Sequence, residues 1–184
     1  MSQIDRRAMI ALSTGVFMAS LIPAAAAAAV INPAPVGKAG DFDFLTGEWR
    51  IHNKFREGEK WIEFPAEASV VSILGGIASI EELRIPARSF SGMGLRLLDV
   101  EKKIWSDHWV NAKSGVVTVP GQVGVFEGGV GTFLSEGEGE KGAELYRGVW
   151  DRITPNSCRW FQGASRDGGR TWDDSWFMDW TRAA

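Results

Sequence analysis

The chain has few of the residues that build disulfides and metal sites: one cysteine and two histidines among 184 residues. A lone thiol, Cys158, cannot form a disulfide within the chain, and we expect it to be buried and unreactive. His52 and His108 fall in separate predicted strands, without an H-x-H or H-x-x-E pattern, which argues against a metal site. The sequence therefore predicts a domain that is stabilised by packing alone.

Neither sign of charge dominates the chain: the formal net charge is −3 at pH 7, and no basic cluster occurs. Nucleic acids and anionic lipids are recognised by clustered Lys and Arg, so neither is expected as a partner, and no membrane association is expected once the signal is removed. The chain also lacks a G-x-S-x-G motif and a phosphate-binding P-loop. These absences exclude the enzyme classes that depend on those two motifs.

The N-terminus has the three parts of an export signal: Arg6 and Arg7, an apolar run over residues 8–22, and a small-residue tract over residues 24–29. The apolar run is too short to span a membrane. The Arg-Arg pair resembles a twin-arginine signal. We expect residues 1–29 to direct the protein to the periplasm or outside the cell. Residues 30–40 are predicted to be a flexible tether and residues 41–184 a single domain.

Aromatic residues and glycine are abundant, with nine tryptophans, ten phenylalanines and 22 glycines. Aromatic side chains favour strands and bury about 150–250 Å² each. No segment after Leu45 shows an apolar repeat of 3.6 residues, whereas about nine or ten short segments alternate between apolar and polar. The pattern predicts an all-β barrel or sandwich. Phe42, with Phe44 or Leu45, is predicted to close one end from a short helical turn.

The clearest alternation is in the first predicted strand, residues 48–56. One face carries Trp49, Ile51, Asn53 and Phe55, and the other carries Glu48, Arg50, His52 and Lys54. We expect the first set inside and the charged set in water. The second predicted strand, residues 61–74, is expected to be broken or bulged at Pro65.

The closing stretch, residues 157–182, holds two apolar-rich runs joined by Ser-Arg-Asp-Gly-Gly, which predicts an antiparallel hairpin. Alternation in its last strand places Asp174 on the same face as Trp172, Trp176, Met178 and Trp180. Residues 165–172 also resemble the Asp-box hairpin of sialidase propellers. A single copy cannot build a propeller, so we interpret the box as a structural corner, with Asp167 accepting N–H bonds from the glycines.

Three segments carry a resemblance to a known family: FDFLTGEWRIH, GMGLRLLDVEKKIWSDHW and ITPNSCRWFQGASRDGGRTWDDSWFMDWTR. Over residues 41–182 the chain resembles the bacterial domain-of-unknown-function family 1579 (DUF1579), which is similar in architecture to lipocalins and other calycins. Gly47-Glu48-Trp49 is similar to the lipocalin G-x-W, whose Trp closes a barrel end. The resemblance implies an antiparallel up-and-down barrel of about eight to ten strands, with room for side chains or one small ligand.

Two residues are candidates for acid–base chemistry, His108 and Asp174. Asp107 and His108 lie on opposite faces of one strand, so only one of them faces the interior, and His108 is a general base if it is that one. Asp174 needs a cationic partner such as Arg96 or Arg147 if its face is interior. The ligand-binding candidates are Arg96, Trp105, Trp109, Tyr146, Arg147, Trp150, Trp160, Gln162 and Trp176.

The leading hypothesis is an exported lipocalin-like barrel that binds a small apolar or aromatic molecule in a tryptophan-lined cavity. The alternative is a cofactor-free isomerase, cyclase or lyase that acts on a small hydrophobic substrate there, and the third hypothesis is a fully packed structural barrel. No cofactor is expected. Haem would need an axial ligand such as His52 or His108, but His52 lies on the charged face, and small haem barrels resembling nitrobindin have a more glycine-rich first strand.

Overall fold

Ten antiparallel strands form a closed barrel in the computed structural model of the chain, which describes residues 34–139 and 142–183. Each strand pairs with its sequence neighbours, and the first pairs with the last. The predicted all-β up-and-down barrel is therefore confirmed, whereas the predicted export signal lies outside the described residues. The strands are β1 (Gly47–Glu57), β2 (Lys60–Ile73), β3 (Ala78–Ile85), β4 (Phe90–Asp99), β5 (Ile104–Asn111), β6 (Gln122–Glu127), β7 (Val130–Gly139), β8 (Gly142–Asp151), β9 (Ser157–Ser165) and β10 (Asp173–Arg182).

Alternation along β1 has the predicted result. Trp49, Ile51 and Asn53 are buried, while the charged residues between them are exposed. On its two sides β1 pairs with β2 and β10, so that Ile51 lies opposite both Ala66 and Trp180. Inward positions of neighbouring strands thus lie side by side around the barrel, as a period of two residues requires.

One end of the barrel is filled by the segment before β1, where Asp43–Leu45 forms a 3-10 helix. The ring of Phe42 lies 4.9 Å from that of Trp105 and 5.5 Å from that of Phe133, measured between centroids. Leu45 is fully buried, and its carbonyl oxygen accepts a bond of 2.6 Å from Trp49 Nε1. We call this the closed end; its buried residues are Phe42, Leu45, Trp49, Trp105 and Phe133.

The last residues of the predicted tether lie against the barrel. Gly37 donates its N–H to Lys103 O at 2.8 Å, and Gly40 donates to Gly76 O at 2.9 Å. Among the described residues the helices are three short 3-10 turns, and none is long and apolar enough to cross a membrane.

Two local predictions were wrong. Strand β2 continues through Pro65 without a break, because Pro65 pairs only with β1; the pairing of β2 with β3 begins at Glu67, so the absent N–H costs no ladder bond on that side. The irregularity lies instead in β10, between Asp174 and Trp176. Ser175 is the extra residue there, and the alternation predicted for β10 shifts by one position before it.

Candidate functional site

The end of the barrel opposite the 3-10 helix encloses a cavity of about 420 Å³. We call it the cavity end. All the predicted site residues border the cavity except Trp105 and Asp174. The walls are formed by Glu81, Leu83, Gly94, Arg96, Asp107, His108, Trp109, Thr118, Pro120, Gln122, Ser135, Tyr146, Arg147, Trp150, Trp160, Gln162, Gly163, Ala164, Ser175, Trp176, Met178 and Trp180.

Four indoles form a continuous wall of the cavity. The centroids of Trp150 and Trp180 are 5.4 Å apart, and those of Trp160 and Trp176 are 5.8 Å apart, both pairs edge to face. Trp176 Nε1 donates to Asn53 Oδ1 at 2.8 Å, which fixes that ring against β1. Such packing favours flat, apolar guests over strongly hydrated ones.

A charged cluster interrupts this apolar wall on strands β3, β4 and β5. Arg96 Nη2 donates to Glu81 Oε2 at 2.5 Å, and Arg96 Nε lies 3.5 Å from Asp107 Oδ2. A Cβ at Gly94 would come within 3.2 Å of Arg96 Nη2, so glycine leaves space for the cluster. Strand pairing brings the charged cluster together, because Gly94 of β4 pairs with Glu81 of β3 and Arg96 of β4 pairs with Asp107 of β5.

The Arg96 guanidinium lies between two aromatic rings, with its carbon 5.2 Å from the centroid of Phe42 and 5.2 Å from that of Trp150. Its side chain is 5% exposed. Its Nε and Nη1 have no hydrogen-bond partner among the described residues, and ring faces stabilise a cation in such a place. Arg96 thus separates the closed end from the cavity.

Asp107 is the more exposed of the two carboxyl groups of the cluster, both of which border the cavity. Its side chain retains 17% of its exposed surface, against 4% for Glu81, and it borders the cavity. Burial raises the pKa of Asp107 above its ordinary value; the Arg96 charge opposes this increase and the Glu81 charge adds to it. The surroundings of Asp107 therefore disfavour its charged form more than water does.

Comparison with known proteins gives a structural similarity alone. The chain matches no protein-family model and no curated protein. The crystal structure of Rv2717c from M. tuberculosis is similar, with a TM-score of 0.49 and 14% sequence identity over 79% of this chain and 99% of that chain. The resemblance to the DUF1579 family therefore stays a prediction.

His108 lies at the edge of the cavity. It occupies the face of β5 opposite Asp107 and Trp109, and its Nδ1 is 3.0 Å from the carbonyl oxygen of Thr118. Of the two neighbours that the sequence left as alternatives, Asp107 is thus the one that joins the interior cluster.

Asp174 does not share the indole face, contrary to the predicted alternation. It binds Arg147 through two oxygens at 2.8 Å, and the Arg147 guanidinium stacks 4.5 Å from Trp172 and 5.2 Å from Phe161. Phe161 stacks on Phe177, on the side of β9 and β10 away from Trp160 and Trp176. The bulge at Ser175 causes the difference, since it turns Ser175, not Asp174, towards the cavity.

Trp105 also lies elsewhere than predicted. It is fully buried at the closed end, where its Nε1 donates to Asp41 Oδ2 at 3.1 Å. Tyr146 and Gln162, by contrast, border the cavity as ligand-binding candidates should. Tyr146 donates its hydroxyl to Glu144 Oε2 at 2.9 Å, and Glu144 also accepts from Arg166 Nε at 2.6 Å, so the Tyr146 ring is held in place.

His52 and Cys158 do not border the cavity, whereas His108 does. His52 lies on the exposed outer face of β1, with Nε2 3.2 Å from Glu63 Oε2. Cys158 is buried, as expected, and burial raises the pKa of its thiol to about 12. Across residues 34–139 and 142–183, no cluster of three or more His, Cys, Asp or Glu side chains is arranged to hold a metal ion.

Two residues of the charged cluster, Glu81 and Asp107, were absent from the predicted site. A signal for each was present in the sequence. Glu81 shares its period-two face with Leu83 and Ile85, and Asp107 shares its face with Trp105 and Trp109. A carboxylate on an apolar face requires a cation, and Arg96 was among the predicted site residues.

Proposed function

We propose that the protein is a lipocalin-like barrel that binds one small apolar or aromatic molecule in the cavity. The supporting observation is an unfilled space of about 420 Å³ with four indoles in its wall. This volume lies within the range of about 300–1,000 Å³ that is usual for small-molecule sites. The proposal includes membership of the DUF1579 family and export by residues 1–29, both supported by the sequence.

Binding is preferred to the two rival functions for structural reasons. A fully packed structural barrel would leave no such space. An acid–base enzyme built on the two predicted residues would need them in the interior, but Asp174 binds Arg147 beside Phe161 and His108 is held at the rim by Thr118. Asp174 therefore lies away from the indoles, and His108 reaches the cavity only at its edge.

A cavity-filling substitution tests the proposal. Ala164 borders the cavity, so Ala164→Phe would place a ring where the guest lies. The probe is N-phenylnaphthylamine, a neutral aromatic dye that becomes fluorescent in apolar surroundings. We expect saturable binding by the wild-type protein and a Kd raised about tenfold or more in Ala164→Phe, because the guest and the new ring compete for one space.

The matched control is Ala112→Phe, which adds the same ring to an exposed loop position. Its Kd should equal that of the wild-type protein. Absence of saturable dye binding by the wild-type protein, or equal weakening by both variants, would contradict the proposed site.

A further inference from the structure

The charged cluster in the cavity wall has one positive group for two carboxyl groups, Glu81 and Asp107. When all three groups are ionised, the cluster carries one net negative charge beside an indole-lined space. An unpaired buried charge is costly, and it is commonly removed by a change in protonation. One bound proton would make the cluster neutral.

The geometry indicates which carboxyl group takes that proton. Glu81 forms the short bond to Arg96 and is 4% exposed, whereas the nearest oxygen of Asp107 lies 3.5 Å from Arg96 Nε. Protonation of Asp107 therefore sacrifices the weaker of the two ion pairs. It also produces an O–H group beside the cavity on the more exposed carboxyl of the cluster.

The groups around Asp107 are consistent with this choice. Arg96 faces it from β4 and Glu81 from β3, His108 adjoins it on β5, and the uncharged Gln122 pairs with it from β6. Burial raises the pKa of Asp107, Glu81 raises it further, and the charges of Arg96 and His108 lower it. The arrangement is a partly exposed carboxyl group beside an indole-lined space, and the one cation of the cluster also binds Glu81.

We propose, on the basis of the proposed function, that Asp107 is the specificity-determining residue and donates a hydrogen bond, as a neutral carboxylic acid, to the guest. The guest is then an uncharged aromatic molecule with an acceptor oxygen, such as a ketone, ester or amide carbonyl. A carboxylate guest would bring a further negative charge to Glu81 and Asp107. A plain hydrocarbon would leave the buried O–H group unpaired, which costs free energy.

Three probes of similar size separate these chemistries: benzophenone, diphenylmethane and diphenylacetate. Benzophenone differs from diphenylmethane by a carbonyl in place of a methylene group. By calorimetric titration in mildly acidic buffer, we expect wild-type protein to bind benzophenone about tenfold more tightly than diphenylmethane, the value of one net hydrogen bond. Diphenylacetate should bind more weakly than either.

Two substitutions and a pH series complete the test. Asp107→Leu removes the donor, so the preference for benzophenone should fall to about one while diphenylmethane still binds. Asp107→Asn keeps a donor that cannot titrate, and its preference should persist at every pH. In wild-type protein the preference should decline as pH rises and Asp107 ionises. If Asp107→Leu fails to fold, the test is the pH dependence of the benzophenone preference, which should be present in wild-type protein and absent in Asp107→Asn.

The outcomes distinguish this inference from the proposed function. Equal affinity for benzophenone and diphenylmethane, or tightest binding of diphenylacetate, overturns the role of Asp107 and leaves a binding barrel. Binding of none of the three probes overturns both. If the preference of wild-type protein for benzophenone over diphenylmethane does not change with pH, Asp107 is not a donor that titrates.

Discussion

The two ends of the barrel use the same inward-facing aromatic residues for different results. At the closed end, Phe42 packs against Trp105 and Phe133 and is 1% exposed. At the cavity end, Trp150, Trp160 and Trp176 surround about 420 Å³. The difference arises outside the strands, because the segment before β1 enters only one end. An alternating aromatic pattern therefore specifies a barrel interior but not whether the interior is filled.

The hydrogen bonds at the two ends of the barrel also differ, in which parts of the chain they connect. At the closed end they tie the plugging segment to the barrel: Trp49 donates to Leu45, and Arg182 donates to Thr46 O at 2.7 Å and Phe44 O at 3.0 Å. At the cavity end, Glu81 and Arg96 bind each other in the wall. Polar groups thus complete the core at one end and border the cavity at the other.

The largest expected effect on stability comes from removing the Phe42 ring at the closed end. Phe42 is 1% exposed, and its ring contacts three other aromatic rings at centroid distances below 5.6 Å. Phe42→Ala should lower the free energy of unfolding by about 3–5 kcal/mol, because it creates a cavity in a packed core. Urea denaturation with a linear fit measures the loss.

The comparison variant is Trp160→Ala at the cavity end. Trp160 is half-buried and already borders the cavity. Trp160→Ala should therefore lower the free energy of unfolding by less than half as much as Phe42→Ala does. Equal losses of unfolding free energy in the two variants would show that the two ends are packed alike, contrary to the difference described above.

A smaller effect is expected from Arg182, which anchors the closed end. Besides its bonds to Phe44 and Thr46, it donates to Pro155 O at 3.0 Å and stacks 4.3 Å from the Trp49 ring centroid. Arg182→Met should lower the free energy of unfolding by about 2 kcal/mol, the usual value for bonds from a charged donor. The same denaturation series measures this loss.

The matched control is Arg159→Met, which removes an ion pair of 2.6 Å with Asp151 on the outer face. Such partly exposed pairs contribute about 0–1 kcal/mol. A loss in Arg159→Met as large as that in Arg182→Met would indicate that anchoring the plugging segment has no special value.

The sequence predicted the barrel well because alternation in β1 and the Gly-rich turns are local signals. The positive φ angles of Gly168 (72°) and Gly169 (87°), for example, follow directly from the hairpin sequence. The site was harder to predict. Asp174 was placed wrongly because nothing in the alternation marks the bulge at Ser175. Asp107 was left as an alternative to His108 and was not chosen as a site residue, because the sequence does not show that Arg96 pairs with it from another strand.

The smallest expected effect is at the turn between β9 and β10, on the cavity end. Asp167 Oδ1 accepts N–H bonds from Arg170 at 3.0 Å and Thr171 at 2.9 Å, where the sequence had suggested the glycines as donors. The hydrogen bond from the Thr171 hydroxyl is the main cause that lowers the pKa of Asp167 to about 2. The turn is exposed, so it fixes the hairpin without contributing to the core.

Asp167→Asn should therefore produce a stability difference that depends on pH. Since the folded pKa is depressed, the stabilisation by ionised Asp167 is fully present above its ordinary pKa of 3.8 and is lost as pH falls through about 2. Urea denaturation of both proteins should give a modest difference that is constant near neutral pH and shrinks in acid. If the difference is the same in acid as at neutral pH, the carboxylate charge does not hold this turn.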